Sequence, residues 1–293
     1  MCVSWAEARA LPRRRIVFSG RASSKCGVAH PLAFFASLPP PDRLRPYVMA
    51  LHHHAGDGPQ APYRRLPGPF AALVVHGGPP GYWRKADEPG WRPYPRVALQ
   101  GLFTRWNFAL EVPGRRCSMA LIEPAAVEAL FGFPAAATID HVLDLEVLRP
   151  QLGRALAAIS RQADPLPQIA EFLASLVARS SAPGLGGPLS MIRREAGSAR
   201  IAAAALLADR SERSLRRMFH AAIGVAPKRW CSIERFTANL RRLHPRPWIE
   251  VDALPDYFDQ AHEIREFRAM AGITPGAYRR EKRLGDRRVF AFG

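Results

Sequence analysis

Arg213, Arg216, Arg217 and His220 bring four basic groups into one eight-residue stretch. A guanidinium presents five N–H donors in a planar fork that fits phosphate oxygens and the O6/N7 edge of guanine. The chemistry on offer is recognition of a polyanion, not proton transfer or nucleophilic attack. Arg265 stands 48 residues after Arg217, with Arg268, Arg279 and Arg280 beyond it, and Lys228 and Arg229 lie between the two sets. No nucleophile elbow, phosphate-binding glycine loop or paired-carboxylate constellation accompanies them, so an enzyme is not expected. Across 293 residues, 42 Lys/Arg face 25 Asp/Glu, a net charge of +17 that favours a polyanionic partner. Residues 190–293 hold 21 Lys/Arg against 12 Asp/Glu, so both halves share the excess and charge alone does not place the binding surface.

The elements that would position these groups are helical. Leu215, Met218, Phe219, Ala222 and Ile223 fall at i, i+3, i+4, i+7 and i+8, one apolar stripe opposite the arginines. Ser211 suits the N-cap of that helix, and Ser198 the cap of an alanine-rich helix through Ile201–Ala208 just upstream. Small residues on the upstream helix let the next one cross it closely, as a helix-turn-helix requires. The run Ser211–Trp230 recurs as Asp259–Tyr278: Phe219 matches Phe267, Arg217 matches Arg265, Gly224 matches Gly272, Pro227 matches Pro275, and Trp230 matches Tyr278. Two copies of a basic amphipathic helix followed by one Gly-x-x-Pro turn suggest two copies of a device that reads DNA.

Ser211-Glu-Arg-Ser-Leu-Arg-Arg-Met-Phe, Gly224-Val-Ala-Pro-Lys-Arg-Trp, Asp259-Gln-Ala-His, Arg265-Glu-Phe-Arg and Gly272-Ile-Thr-Pro-Gly-Ala-Tyr-Arg-Arg280 resemble the AraC/XylS family of bacterial transcription regulators. The likeness covers about residues 198–280. It implies two helix-turn-helix units joined by a long helix, Lys228–Leu243, that enter successive major-groove segments of double-stranded DNA. By that resemblance Arg213, Arg216 and Arg217 face bases in the first unit, and Ala261 and Arg265 hold those places in the second. Ser211, His220, Lys228, Arg229, Arg268, Arg279 and Arg280 complete the DNA-binding candidates. Asp209 and Asp256 stand where the family has turn glycines, Glu263 stands at an apolar position, and Pro255 falls in the supporting helix. These departures make the first unit the main base reader and the second chiefly a source of backbone contacts. The stretch from Leu44 to Leu145 more weakly resembles the β-rich sensory domain of one branch of the family.

The expected class is α+β with two domains, a β-rich sandwich or barrel with helices followed by an all-α double helix-turn-helix. Residues 1–41 read as a disordered or mis-started extension, its first 30 residues superficially like a transit peptide in being rich in Arg and Ser and poor in acid. Residues 42–180 read as a sensory or dimerisation domain with strands near Tyr47–His52, Phe70–His76, Val97–Phe103, Trp106–Val112 and Cys117–Ile122. Gly77–Pro95 reads as a long loop, and helices are expected at Pro124–Phe131, Leu145–Ser160 and Pro167–Arg179. A linker follows at 181–188, then the DNA-binding domain at 189–283 and a tail at 284–293.

His52 and His54 lie on one face of a strand and could hold a metal only if His76 or His141 joined them, so neither metal nor cofactor is expected. Trp83, Trp91, Trp106, Tyr82 and Tyr94 are candidates to line a small-molecule pocket. Cys2, Cys26, Cys117 and Cys231 lack metal or disulfide spacing, which favours reduced thiols in a cytoplasm, and no apolar run reaches membrane-span length. A small-molecule effector, RNA polymerase and a second copy of the chain are the further partners this reading admits. Two rivals remain open: a degenerate interaction module that has lost DNA binding, and a metal-dependent β-barrel enzyme fused to a DNA-binding head.

Overall fold

The structure, a computed structural model, describes residues 16–18, 34–56, 62–177, 185–243, 260–283 and 289–290. Its architecture is α+β, with a β-rich first half followed by helices. Strands β1 (Ile16–Phe18), β2 (Phe34–Leu38), β3 (Val48–Ala55), β4 (Tyr63–Arg65), β5 (Ala71–His76), β6 (Tyr82–Lys85), β7 (Arg92–Pro93), β8 (Val97–Gln100), β9 (Asn107–Leu110), β10 (Arg116–Ile122) and β11 (Val142–Asp144) precede all of the longer helices. They form a seven-stranded sheet in the order β1-β2-β3-β10-β5-β8-β11 and a five-stranded sheet in the order β12-β4-β9-β6-β7, where β12 is Val289–Phe290.

Strand β5 is buried along its whole length because both of its faces are covered. Ala71, Leu73 and Val75 join the core beneath the helices, while Ala72 and Val74 belong to a cluster on the opposite face. Period-2 alternation therefore disappears from its sequence, as expected of a strand covered on both sides. Tyr63, Trp83, Tyr94, Phe103 and Ala109 form a separate aromatic cluster on the five-stranded side.

Helices α1 (Val127–Phe131) and α2 (Ala135–Thr138) follow β10, and α3 (Leu145–Leu148), α4 (Pro150–Ile159) and α5 (Pro165–Val177) cover the larger sheet. The expected helix 145–160 is two helices. Pro150 opens α4 and forces Arg149 out of helical geometry, to φ −140°. Asp144 caps α3 by accepting from the backbone N–H of Glu146 at 2.9 Å. Gly132 ends α1 in the left-handed region, φ 72°.

The remaining helices are α6 (Gly186–Arg194), α7 (Ile201–Leu207), α8 (Glu212–Ile223), α9 (Pro227–Leu243), α10 (Gln260–Ala271) and α11 (Pro275–Arg283). Leu189, Ile192, Leu215, Phe219, Ile223, Trp230, Ile233, Phe236, Phe267, Met270 and Tyr278 build their core. Leu66, Leu102 and Ala125 from the β-rich half belong to the same apolar cluster, so the two halves share buried surface.

Several expectations are corrected. Gly77–Pro95 is not a plain loop: β6 and β7 pair within it, Tyr82 opposite Pro93 and Trp83 opposite Arg92. Strand β2 lies inside 1–41 and pairs along β3, so the sheet begins before residue 42. Gly186–Pro188 opens α6 rather than closing a linker, and residues 178–184 lie outside the described residues. The tail, for which no element was expected, holds β12, which adds to β4 in parallel. Ser198 does not cap α7; Arg200 holds the N-cap position and offers no side-chain bond.

Candidate nucleic-acid interface

Helix α8 is an amphipathic rod with the two faces expected of it. Ser211 accepts from the backbone N–H of Ser214 at 3.2 Å and so satisfies one orphan donor at the N-terminus. Leu215, Phe219 and Ile223 are fully buried, whereas Arg213, Arg216, Arg217 and His220 are exposed. Arg216 reaches back to Glu212 at 3.2 Å, an exposed i,i+4 pair of the kind that contributes little. Gly224 closes the helix at φ 87°, its N–H donating to the carbonyls of Phe219 and His220.

The turn between α7 and α8 passes through Asp209 at φ 52°. That left-handed geometry is what a glycine would adopt freely, and aspartate tolerates it better than most residues. The helix-turn-helix therefore forms although its glycine is missing.

The second copy repeats the first where it is described. Phe267 is buried like Phe219, Arg265 is exposed like Arg217, and Gly272 is left-handed at φ 73° like Gly224. Trp230 and Tyr278 are both completely buried, each one turn into the helix opened by Pro227 or Pro275. Arg268 and Arg280 are exposed and Arg279 is half-buried. Pro255 and Asp256, and the side chains of Ala261 and Glu263, lie outside the described residues.

Lys228 is exposed, but Arg229 differs from expectation. It is half-buried and donates from Nη2 to the backbone carbonyl of Thr104, so its guanidinium is engaged between the halves of the chain. The loop that carries Thr104 is itself fixed, because Asp140 accepts from the Thr104 N–H and from its hydroxyl, both at 2.7 Å. Two residues on, the Trp106 N–H donates to the Met270 carbonyl at 2.8 Å, satisfying a C-terminal acceptor of α10. A Cβ at Gly272 would stand 2.4 Å from the Trp106 ring, and one at Gly224 would stand 2.8 Å from Ala136 Cα. The matching corners of the two copies are thus both pressed against the β-rich half.

Arg193 ties the halves together electrostatically. It forks onto Glu123 through Nη1 at 2.7 Å and Nη2 at 3.0 Å, and its Nε meets Glu234 Oε1 at 3.0 Å. Burial pushes the Glu234 carboxyl above its ordinary range despite the guanidinium beside it.

Of the aromatic pocket candidates, Trp83 is buried and stacks on Tyr94 with centroids 6.3 Å apart, while Tyr82 and Trp91 are exposed. Tyr94 lines a cavity on the five-stranded side with Arg65, His76, Gln100 and Arg115, none but Tyr94 anticipated there. Their signal was weak: Arg65 alternates with Tyr63 on a strand whose period-2 burial is the only hint that a cation points inward. Burial, followed by the charge of Arg115, lowers His76 to about 3, leaving its ring neutral. His52 and His54 are half-buried on β3, and His141 is exposed with its ring nitrogen against the Ile139 carbonyl. Among the described residues no three His, Cys, Asp or Glu side chains gather as a metal site. Cys117 and Cys231 are buried, which pushes both thiols up. No helix of the described residues is long and apolar enough to cross a membrane.

No family model and no curated protein matches the chain. Crystal structures of ToxT from Vibrio cholerae align with it along most of their length. An apo ToxT variant from strain SCE256 gives a TM-score of 0.45 at 9% identity, covering 78% of this chain and 96% of that one. ToxT from O395 gives 0.40 at 7% identity, covering 78% and 96%. Wild-type ToxT with bound unsaturated fatty acid gives 0.42 at 10% identity, covering 78% and 94%. At such values the likeness is a loose one.

Proposed function

We propose that the chain is a sequence-specific DNA-binding transcription regulator of the AraC/XylS type. The observation that carries this reading is the division of α8 into a buried face of Leu215, Phe219 and Ile223 and an exposed face of Arg213, Arg216, Arg217 and His220. A helix anchored on one side and cationic on the other, second in a helix-turn-helix, is the geometry that enters a major groove. Arg213, Arg216 and Arg217 read base edges. Ser211, His220 and Lys228, with Arg265, Arg268, Arg279 and Arg280 of the second unit, hold phosphates and fix the register.

In this reading the β-rich half senses a small molecule or pairs protomers. Its contacts with the ends of α8 and α10, through Trp106 and the 134–139 segment, carry the response to the DNA-binding heads. Ligand occupancy then alters DNA affinity by as much as its differential binding to the docked and undocked arrangements.

Selection of fragments from random DNA by the full chain tests the proposal. A defined motif should be enriched, with binding that falls steeply as salt rises. Enrichment of no motif would leave the helical half as a protein-interaction surface.

A further inference from the structure

Arg65 is 6% exposed, and among the described residues no carboxylate pairs with it. An arginine keeps its charge at any ordinary pH, so it cannot relieve burial by losing a proton. Removing such a cation from water is costly unless an anion or a full set of acceptors meets it. Here the set is partial. Nε donates to Asn107 Oδ1 at 3.1 Å and Nη1 to Gln100 Oε1 at 2.7 Å, while Nη2 is buried with no acceptor among the described residues. The faces of the guanidinium are sheltered by the rings of Phe103, at 4.9 Å, and Tyr94, at 5.7 Å, which leaves the Nη2 edge as the unsatisfied part.

The other cation at this cavity is already neutralised. Arg115 donates to Glu111 Oε1 at 2.8 Å, and Glu111 also accepts from the Tyr63 hydroxyl at 2.9 Å. With the His76 ring neutral, the lining carries one uncompensated positive charge, that of Arg65. It also carries unsatisfied hydrogen-bonding atoms: both ring nitrogens of His76 and the Tyr94 hydroxyl are buried without a hydrogen-bond partner among the described residues. Buried polar atoms in such number are uncommon, and the donors among them (Arg65 Nη2, one N–H of the neutral His76 ring and the Tyr94 hydroxyl) have a common explanation in a shared acceptor.

The geometry points to a binding site for a small monoanion, a short-chain carboxylate, between the strands of the β-rich half. Arg65 is its counter-ion, Tyr94 and His76 are donors to its oxygens, and Gln100 and Asn107 hold the guanidinium in place. The cavity measures about 20 Å³, where one water needs roughly 10–15 Å³, so it has room for the oxygens of one carboxylate group and not for a long acyl chain. This deepens the reading of that half as a sensor and rests on it for regulatory meaning, but the binding itself stands apart from DNA recognition.

The test is calorimetric titration and thermal unfolding of the full chain with acetate, propionate, inorganic phosphate, chloride and dodecanoate. Acetate and propionate should bind saturably and raise the unfolding midpoint, while dodecanoate and chloride should not. Arg65→Met should weaken acetate binding about 100-fold or more, the scale on which a buried charge pair is lost. The same variant without ligand should unfold at an equal or higher temperature, because an uncompensated buried cation has gone. Tyr94→Phe, which removes one hydroxyl, should weaken binding several-fold and carries the comparison if Arg65→Met does not fold. Absence of saturable carboxylate binding, preference for phosphate or dodecanoate, or carboxylate binding indifferent to both variants overturns the assignment. A motif recovered from random DNA alongside any of those results would leave the regulator reading standing and remove only this site.

Discussion

Replacing Arg193 by methionine removes the cation that three charge-assisted hydrogen bonds converge on while keeping much of its apolar stem. What remains is two carboxylates, with side chains 12% and 7% exposed, on opposite sides of the junction between the halves. Breaking a fully buried pair by deleting one partner costs about 3–5 kcal/mol. Arg193 itself is 31% exposed, so water takes over some of its role, and a loss of about 2–4 kcal/mol at pH 7 is expected. The pH dependence has a definite sign. Burial already raises the Glu234 pKa above its unfolded value, and losing Arg193 raises it further. A group raised on folding contributes stability below its unfolded pKa that disappears as pH rises through the folded one. The part of the deficit that comes from Glu234 should therefore shrink toward pH 4, leaving the variant's deficit smaller there than at pH 7. Urea unfolding of both proteins across that range measures it, with Arg43→Met as control, since the Arg43–Glu171 pair is 59% and 80% exposed. The control should stay within about 0.5 kcal/mol of the parent. A deficit below about 1 kcal/mol at pH 7, or one of equal size at pH 4 and pH 7, would refute the ion-pair account of the junction.

Arg217→Ala should lose about 1–3 kcal/mol at a selected DNA site and relax preference at one position, read by gel shift at fixed salt. Lys228→Ala should weaken all sequences alike and reduce the salt slope by about one, so a sequence-dependent loss would contradict a phosphate role. Phe219→Ala empties a completely buried position and should cost about 3–5 kcal/mol in chemical denaturation. Asp209→Gly should stabilise by up to about 1 kcal/mol and Asp209→Val destabilise by about 1–2 kcal/mol, because φ at this turn is 52°. Equal midpoints for those two variants would mean that the turn relaxes.

Periodicity made the helical half legible. The stripe through Leu215, Phe219 and Ile223, the Ser211 cap and the Gly224 stop all depend on neighbours within two turns, and the structure has each of them. The upstream cap was misplaced because Ser198 belongs to a turn already shaped by left-handed Ala196 and Gly197. In the β-rich half the strands with alternating or apolar runs were visible, but β6 and β7 hide in a stretch of glycine, proline and tryptophan. Their pairing is held by β9, distant in sequence. Candidate site residues divide the same way. Exposed arginines on α8 follow from its helical period, whereas the diversion of Arg229 to Thr104 is a contact across 125 positions that no local pattern encodes. Arg65 escaped notice for a like reason: a basic residue in a short strand reads as solvent-facing until the second sheet is known to cover it.

The paired corners at Gly224 and Gly272 have a consequence for how such chains can be recombined. Each corner leaves no space for even a methyl group, one against Ala136 and the other against Trp106. Transplanting residues 185–283 behind an unrelated front portion would therefore strand two close-fitting notches and the apolar surface around them. A chimera that respects only the apparent join near residue 181 should be sticky and poorly behaved, while one that carries 101–139 along with the helices should keep both notches filled.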